Sequence, residues 1–555
     1  MKKLTLMVAF SMLLQLAFAG GLLTNYNQSA QYIRMLSRNA ALEIDAVFYN
    51  PAGLVKMEDG WHFAFYSQTI FQTRDIDTQF PTLNSGHYEG ETTIPVFPDV
   101  YAVYKKNNWA YSLGIGPVGG GGTAKFPSGI PTLEIPFSLI PGQLAALGQI
   151  DPSLAVTGYD LDMSLEASST FWGIQLGASY AVNDQFSFYG GLRLMPSTNK
   201  YDGAIRNIQL QAGGQMVNAA TWLTGASGQV DGLAGQASAG AEIMYGTANT
   251  MQPVIDAGYG TATLADLEAG GVIDAATRAQ VEGGLQLIGL PQEQIDAMNV
   301  LQVQGTYSAA GDELTATSTL LSGTAQTLAG TASQLGDKEV KTKQKGMGFT
   351  PIIGFNYSPN DDWTLALKYE FETKLTLENE TDVDDMGLFP DGAESSNDIP
   401  AILAAGVGYR GLDWLEAQVS FNMYFDKGVD YGNNIRYATL GQQVHRDIES
   451  NYTELSLGLQ FNVSDNFAFS VGGMRSENGV SPEYQSDFSY SNSSYTLGGG
   501  IMWKITDKLT FDAGIINTFY EDDTVTFTHA GIGSYDETYA KTTISMAAGI
   551  SYSIF

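Results

Sequence analysis

From Trp61 to Phe555 apolar and polar residues alternate over most of the chain. In the stretch 362–378, Trp363, Leu365, Leu367, Tyr369, Phe371, Leu375 and Leu377 take odd positions, while Thr364, Lys368, Glu370, Glu372, Lys374 and Glu378 take even ones. Leu455, Leu457, Leu459, Phe461 and Val463 alternate with Glu454, Ser456 and Gln460, and Leu415, Val419, Phe421 and Met423 alternate with Glu416, Gln418, Ser420 and Asn422. A period of two predicts β-strands with one apolar face. Strands are expected at 61–73, 97–105, 109–117, 162–181, 186–200, 346–358, 362–378, 399–410, 413–426, 452–463, 466–476, 494–505, 508–528 and 538–555. That is about fourteen, an even number, as single-chain bacterial barrels require.

The connections alternate too. Those after even strands are short: 105–108, Val182–Gln185, Ser358–Asp361, Gly411 and Leu412, Val463–Asn466, and Ile505–Lys508. Those after odd strands are long. One rim is trimmed and the other elaborated, as expected of periplasmic turns and extracellular loops. A soluble sandwich would need a second sheet to cover each apolar face, whereas a membrane barrel uses lipid. The expected fold is therefore an all-β transmembrane antiparallel β-barrel. In the last strand Ile544, Met546, Ala548, Ile550, Tyr552 and Ile554 share a face, with Phe555 off that register.

The N-terminus supports export. Lys2 and Lys3 precede an apolar run from Leu4 to Phe18, and Ala17–Ala19 fits small-x-small cleavage, so 1–19 is expected to be a signal peptide. No other segment is long and apolar enough for a membrane helix, and the mean hydropathy is only -0.07. Barrels escape hydropathy scans because only alternate residues face lipid. With no cysteine there is no disulfide or thiolate site. The formal charge of -32 argues against nucleic-acid binding, which needs a basic face. Its bland reading is an acidic surface on exposed loops. Asp382, Asp384 and Asp385 lack a recognised calcium-loop spacing and read as a solvated turn. No metal or cofactor is expected.

The insertion 201–345 is rich in Ala, Gly, Thr and Gln and carries helical signals. Leu314, Leu321, Leu328 and Leu335 recur every seven residues, Pro291 precedes Ile295 and Met298, and Asp274 is placed to cap a helix through Val281 and Leu285. The loop alternation puts this largely helical insertion outside the cell. Its leucine stripe reads either as helix packing or as an apolar surface that captures greasy ligands.

Residues 20–60 precede the first strand and contain Arg34, Arg38, Asp45, Ala46 and then Asn50, Pro51, Ala52, Gly53 and Leu54. This segment resembles the FadL family of outer-membrane transporters of long-chain fatty acids and other hydrophobic compounds. The Asn-Pro-Ala motif of that family falls on Asn50, Pro51 and Ala52. Asp398–Ala401, before Gly406–Tyr409, is also similar to the family. The resemblance implies that 20–60 is a hatch folded inside a barrel formed by 61–555. It also implies a kinked third strand that opens the wall sideways. Gly114, Gly116, Pro117, Gly119, Gly120, Gly121 and Gly122 are the candidates for that break, since Pro lacks a donor and Gly packs nothing. An ordinary loop starting at Pro117 is the alternative. The insertion is much larger than the family's helical loop there.

The function expected is passive uptake of hydrophobic molecules, most simply long-chain fatty acids, by a monomer among outer-membrane lipid and lipopolysaccharide. Burial is worth roughly 0.8 kcal/mol per CH₂, so a sideways exit into lipid spares an acyl chain a wet lumen. Arg34, Arg38, Arg193 and Lys368 are candidates for a ligand headgroup, or else for structural ion pairs in the lumen. The alternatives are a surface adhesion protein acting through the insertion and a general porin, although a porin lumen should hold no forty-residue hatch. Hydrolysis has little support: His62, His87, His445 and His529 are the only histidines, and no Ser/His arrangement stands out.

Overall fold

The structure, a computed structural model, describes residues 22, 24–431, 434, 436–437 and 440–555. The expected signal peptide 1–19 lies outside the described residues. The chain divides into two units. One comprises the described chain up to Ile140, Leu161–Arg206 and Lys338–Phe555; the other comprises Pro141–Asp160 and Asn207–Asp337.

The first unit is a closed barrel of fourteen strands. They are β1 (Gly60–Thr78), β2 (His87–Lys106), β3 (Trp109–Phe126), β4 (Val156–Ala181), β5 (Phe186–Ala212) and β6 (Lys338–Tyr357). Then come β7 (Trp363–Glu370, resumed at Thr376–Asp384), β8 (Glu394–Ser396, resumed at Ile402–Leu412), β9 (Leu415–Tyr424) and β10 (Tyr452–Ser464). Last are β11 (Phe467–Glu477), β12 (Ser494–Thr506), β13 (Leu509–Tyr520, resumed at Asp523–His529) and β14 (Gly533–Ile554). Each strand pairs with the next, and β14 returns to β1 from Trp61↔Ile554 to Thr78↔Glu537. Closure leaves no free edge, which a wall in hydrocarbon demands, because lipid satisfies no N–H or C=O group.

Alternation sets the two faces. On β1, Trp61, Phe63, Phe65 and Phe71 are exposed while His62, Tyr66, Gln68 and Gln72 are buried. Ile544, Met546, Ile550, Tyr552 and Ile554 face out on β14, as the sequence predicts. Aromatic pairs ring the trimmed rim: Trp61–Tyr104 at 4.8 Å, Trp109–Tyr180 at 4.7 Å, Phe186–Tyr357 at 4.4 Å and Trp363–Tyr409 at 4.8 Å. Such amphipathic rings mark the level of the lipid headgroups. This closed barrel with its apolar outer belt spans the outer membrane of a Gram-negative bacterium.

Three expectations need correction. The strands of the long-loop half run further than the apolar alternation, so β1 reaches Thr78, β2 begins at His87, β5 reaches Ala212 and β6 begins at Lys338. Beyond the lipid belt the outward face turns polar, as at Asp202 and Arg206, and the apolar residues, such as Tyr201 and Ile205, move to the buried phase, which breaks the lipid-facing alternation. Second, Leu375 and Leu377 do not share the outer face of Trp363, Leu365 and Leu367. They are fully buried, because β7 breaks at 371–375 and resumes in the opposite phase. Third, β3 does not stop at Pro117; it runs on to Phe126 along β4, with shifts at Pro117/Gly119 and Gly120/Thr123.

The second unit is helical. Two long helices, Ala219–Val254 and Val300–Gln334, pack antiparallel: Ser227 donates to the Ala325 carbonyl, Ser318 to the Ala234 carbonyl, and Tyr245 to Asp312. Leu321, Leu328 and Leu335 are buried and Leu314 lies against Gly240, so the seven-residue leucine stripe is the seam of a helix pair. Shorter helices close a small core of Leu264, Leu267, Val281, Leu285, Ile295 and Val303. Asp274 caps its helix by accepting from the Thr277 N–H, as its position predicts.

Candidate functional site

Residues 24–59 lie inside the barrel, with few exposed positions before Lys56. Helix Ala30–Met35 starts where Ser29 Oγ accepts the Tyr32 N–H and ends on Leu36 in a left-handed conformation. Helix Ala46–Tyr49 is followed by a tight 3₁₀ turn, Pro51–Lys56, in which proline occupies the first position, where no donor is missed. Polar side chains from many strands hold this segment. Asn50 donates to Asn356 of β6 and to the Ala41 carbonyl. The Pro51 carbonyl accepts from Ser179 of β4, and the Ala52 carbonyl from Ser187 of β5. A Cβ on Gly53 would meet Asn50 Nδ2 at 2.5 Å and the Ala41 carbonyl at 2.9 Å, so only glycine fits. The motif thus reads physically as a clamp on three adjacent strands.

The four candidate cations divide into two pairs. Arg34 pairs with Asp512 of β13 at 2.8 Å and donates to Gln460 and Ser470. Arg38 is held within the segment by Asp45 at 2.7 Å and Glu43 at 2.6 Å. Both are buried and ion-paired, which makes them anchors. Arg193 and Lys368 instead converge on one carboxylate, Glu370, at 2.5 and 2.7 Å. Lys368 also donates to the Phe48 carbonyl, and Arg193 to Gln175. Two cations on one anion leave a local excess of positive charge under the Phe48 ring, 4.7 Å from Lys368 Nζ and 5.1 Å from the Arg193 guanidinium.

Two cavities flank this cluster. One is lined by Tyr26, Phe48, Val118, Arg193, Met195 and Ile399 among others. The other is lined by Val47, Phe48, Asp99, Tyr101, Gly116 and Val118, and Arg193 borders both. The second abuts an irregular stretch of wall. Between β2 and β3 the register holds at Thr92↔Ala124 and resumes at Val100↔Ile115, so 93–99 and 116–123 are unpaired with each other. On the β3 side, Gly120 and Gly121 have φ of +61° and +116°. Carbonyls of this stretch turn inward: Pro117 accepts from Gln28, Val118 from the Asn25 N–H, and Gly120 from the Asn25 side chain. Ile94 and Phe97 of β2 fill the space beside the glycines, since a Cβ on Gly121 would lie 2.8 Å from the Phe97 ring and one on Gly122 2.7 Å from Ile94. Gly114 faces Val47 and Tyr101, and Gly116 faces Asp99 and Gln28.

The facing strand carried a signal that the sequence reading missed. Pro95 and Pro98 both fall in the unpaired stretch of β2. Together with Pro117 they leave three positions in this seam with no N–H to donate. His62 was passed over as well: its Nδ1 lies 2.8 Å from Ser553 Oγ, and its Nε2 meets the Glu58 carbonyl, an acceptor that cannot serve as an acidic third member. Asp384 and Asp385 are turn caps, accepting from Leu388, Phe389 and Glu339 N–H groups.

The fold and the lumen together define a plugged fourteen-strand outer-membrane barrel, a class to which known hydrophobic-compound channels belong. No family model and no curated protein matches the sequence. Among solved structures, a FadL homologue of Pseudomonas aeruginosa aligns over 96% of this chain and 99% of its own, at 12% identity and a TM-score of 0.54. At that identity the likeness shows a shared fold. The toluene transporters TodX of Pseudomonas putida (13% identity, TM-score 0.46, 96% and 100% coverage) and TbuX of Ralstonia pickettii (12%, 0.46, 96% and 100%) also align.

Proposed function

We propose that this protein is a passive uptake channel for hydrophobic molecules, with long-chain fatty acids as the simplest cargo. The N-terminal segment acts as a hatch, and the ligand leaves sideways between β2 and β3. The observation that carries this reading is the cavity lined by Phe48, Tyr101 and Val118, which lies directly against the unpaired stretch 93–99/116–123. No ladder hydrogen bonds join β2 to β3 across that stretch, where Ile94 and Phe97 pack beside Gly121 and Gly122. The buried Arg193–Lys368–Glu370 cluster is the headgroup station in this scheme. Each barrel N–H or C=O left open costs several kcal/mol in hydrocarbon, so a seam built on three prolines and inward-turned carbonyls has a function to justify it. The helical unit lies outside the cell in this reading, and export depends on the signal peptide.

The test is uptake of a labelled long-chain fatty acid by cells that make the protein. Wild type should exceed empty cells. A variant in which a disulfide joins Ile94→Cys to Gly122→Cys should lose that excess and regain it on reduction. Full uptake by the oxidised variant would remove lateral release and direct the ligand through the hatch to the periplasm.

A further inference from the structure

Asp99 of β2 sits where the broken seam begins to close. It is the last residue of the unpaired stretch 93–99, one before Val100↔Ile115 restores the ladder to β3, while it stays paired with Tyr66 of β1. Val100 and its β1 partner Phe65 are exposed on the lipid-facing side, so Asp99 lies at membrane depth on the opposite, inward face. It is 1% exposed. Ionisable side chains at that depth are costly unless they are paired or hydrogen-bonded.

Neither carboxyl oxygen of Asp99 has a hydrogen-bond partner among the described residues. The Gln68 amide beside it spends an N–H on the Asn27 carbonyl and its oxygen on the Asn27 side chain. The carboxyl instead reaches across the gap toward β3: a Cβ on Gly116 would lie 2.1 Å from Asp99 Oδ1 and 3.2 Å from Gln28 Oε1. Gln28 offers no donor there, because its amide nitrogen goes to the Asn25 and Pro117 carbonyls. Arg193, which borders the same cavity, is spent on Glu370 and Gln175. Two oxygen-bearing side chains therefore edge a cavity whose other walls include Val47, Phe48, Tyr101 and Val118.

We infer that Asp99 is the recognition group of this cavity and takes the hydroxyl of an uncharged, hydroxylated hydrophobe, such as an alcohol on an alkyl chain. This rests on the uptake reading above and adds a cargo class that the Arg193–Lys368–Glu370 station does not select. A hydroxyl both donates and accepts, so it answers the carboxyl in either protonation state and can also donate to Gln28. A carboxylate brings only acceptors to a site already rich in them. An ammonium would meet Arg193.

The test is binding of decanol, its methyl ether, decanoate and decylamine to the purified full-length protein in lipid nanodiscs, with protein-free nanodiscs measuring partition into lipid. Decanol should bind more tightly than the other three. Asp99→Leu should weaken decanol about tenfold and leave the ether unchanged, while Asp99→Asn, which still donates and accepts, keeps most of the decanol affinity. Neither change removes a hydrogen bond of that carboxyl from the fold, so both variants should keep heat-modifiable migration on gels. Equal losses for decanol and ether, or no loss for decanol, would overturn the recognition role. Decylamine or decanoate held more tightly than decanol would overturn the ligand class. Failure of both variants to assemble would make Asp99 a structural group and overturn the inference. Uptake of labelled decanol by cells tests the channel reading separately: no excess over empty cells, with Asp99-dependent binding intact, would sink the channel and leave the site standing.

Discussion

Two seams of the same barrel show how little separates a sealed wall from an interrupted one. Between β5 and β6 the ladder runs unbroken from Phe186↔Tyr357 to Ile205↔Lys338. Between β2 and β3 it fails over 93–99 and 116–123. Glycine content does not distinguish them, because β5 and β6 contain Gly190, Gly191, Gly346, Gly348 and Gly354, none with positive φ. These glycines make room: Gly191 for the Tyr189 hydroxyl and Gly354 for Ala52 of the lumenal segment. Proline on both strands does not distinguish them either, since β5 carries Pro196 and β6 carries Pro351; the broken seam differs in the positive φ of Gly120 and Gly121 and in carbonyls that turn inward to Asn25 and Gln28. Pro351 of β6 completes the lesson. It keeps its pairing with Leu192, yet pairing on its other side jumps from Gly346↔Leu377 to Ile352↔Glu370, where β7 breaks. Proline damages only the seam toward which its missing donor points.

This contrast can be broken by experiment. The largest effect is expected at Gly120. Gly120→Val imposes left-handed backbone on a branched residue, about 1–2 kcal/mol by itself, and drives its Cβ into the Ser169 carbonyl. The heat-modifiable form should be largely lost, whereas Gly190→Val, whose Cβ meets open space on the sealed seam, should assemble normally. Equal assembly would show that the left-handed turn is not required. Next is the Ile94→Cys/Gly122→Cys disulfide, for which about tenfold lower uptake is expected, against no change for a Thr198→Cys/Lys345→Cys disulfide across β5–β6. Both chains start free of cysteine, so each bond is the only one present. If the two behave alike, the broken seam is not the route.

A smaller effect tests the clamp shared by β4, β5 and β6. Asn50→Ala removes bonds to Asn356 and Ala41 and should cost about 1–2 kcal/mol, with raised single-channel conductance in planar bilayers as the segment loosens. Unchanged conductance would mean that Ser179 and Ser187 suffice. The smallest expected effect lies in the loop after β9, away from both seams. Burial pushes the Asp426 carboxyl up to about 7, while the Tyr452 N–H donates to it. An acid with a raised folded pKa stabilises the folded loop in its protonated form. That stability is full below about pH 4 and is lost as pH rises toward 7. Hydrogen exchange around Asp426 should quicken between pH 5 and 7, and Asp426→Asn should flatten the profile. Exchange across β5–β6 should not respond, and a matching response there would assign the change to the whole barrel.

Much of the fold was legible in advance because its cause is local. Trp363, Leu365 and Leu367 alternate since successive side chains of any strand point to opposite faces, and turns such as Ser358–Asp361 mark where strands reverse. Strand number, the trimmed rim and the helical insertion follow from such short-range rules, whereas Asn50, Pro51 and Ala52 stood out only through a family resemblance. Where a rule was hidden, local chemistry was ambiguous. Beyond the lipid belt the outer face turns polar and the apolar residues shift to the buried phase, so the lipid-facing alternation stops before the strand does, which is why β5 and β6 run further than expected.

The partnerships were decided only by the closed barrel. Arg34 meets Asp512 across 478 positions of sequence, and Arg193 and Lys368 share Glu370 because β5 and β7 both face the lumenal segment. Pro95 and Pro98 acquire their meaning when register brings them opposite Pro117 and its glycines, and Arg74 meets Lys541 only where the last strand closes on the first. The reason is physical: a period of two depends on a few backbone dihedrals, whereas a charge, a cavity or a gap in the wall depends on which distant strand curvature and closure place beside it.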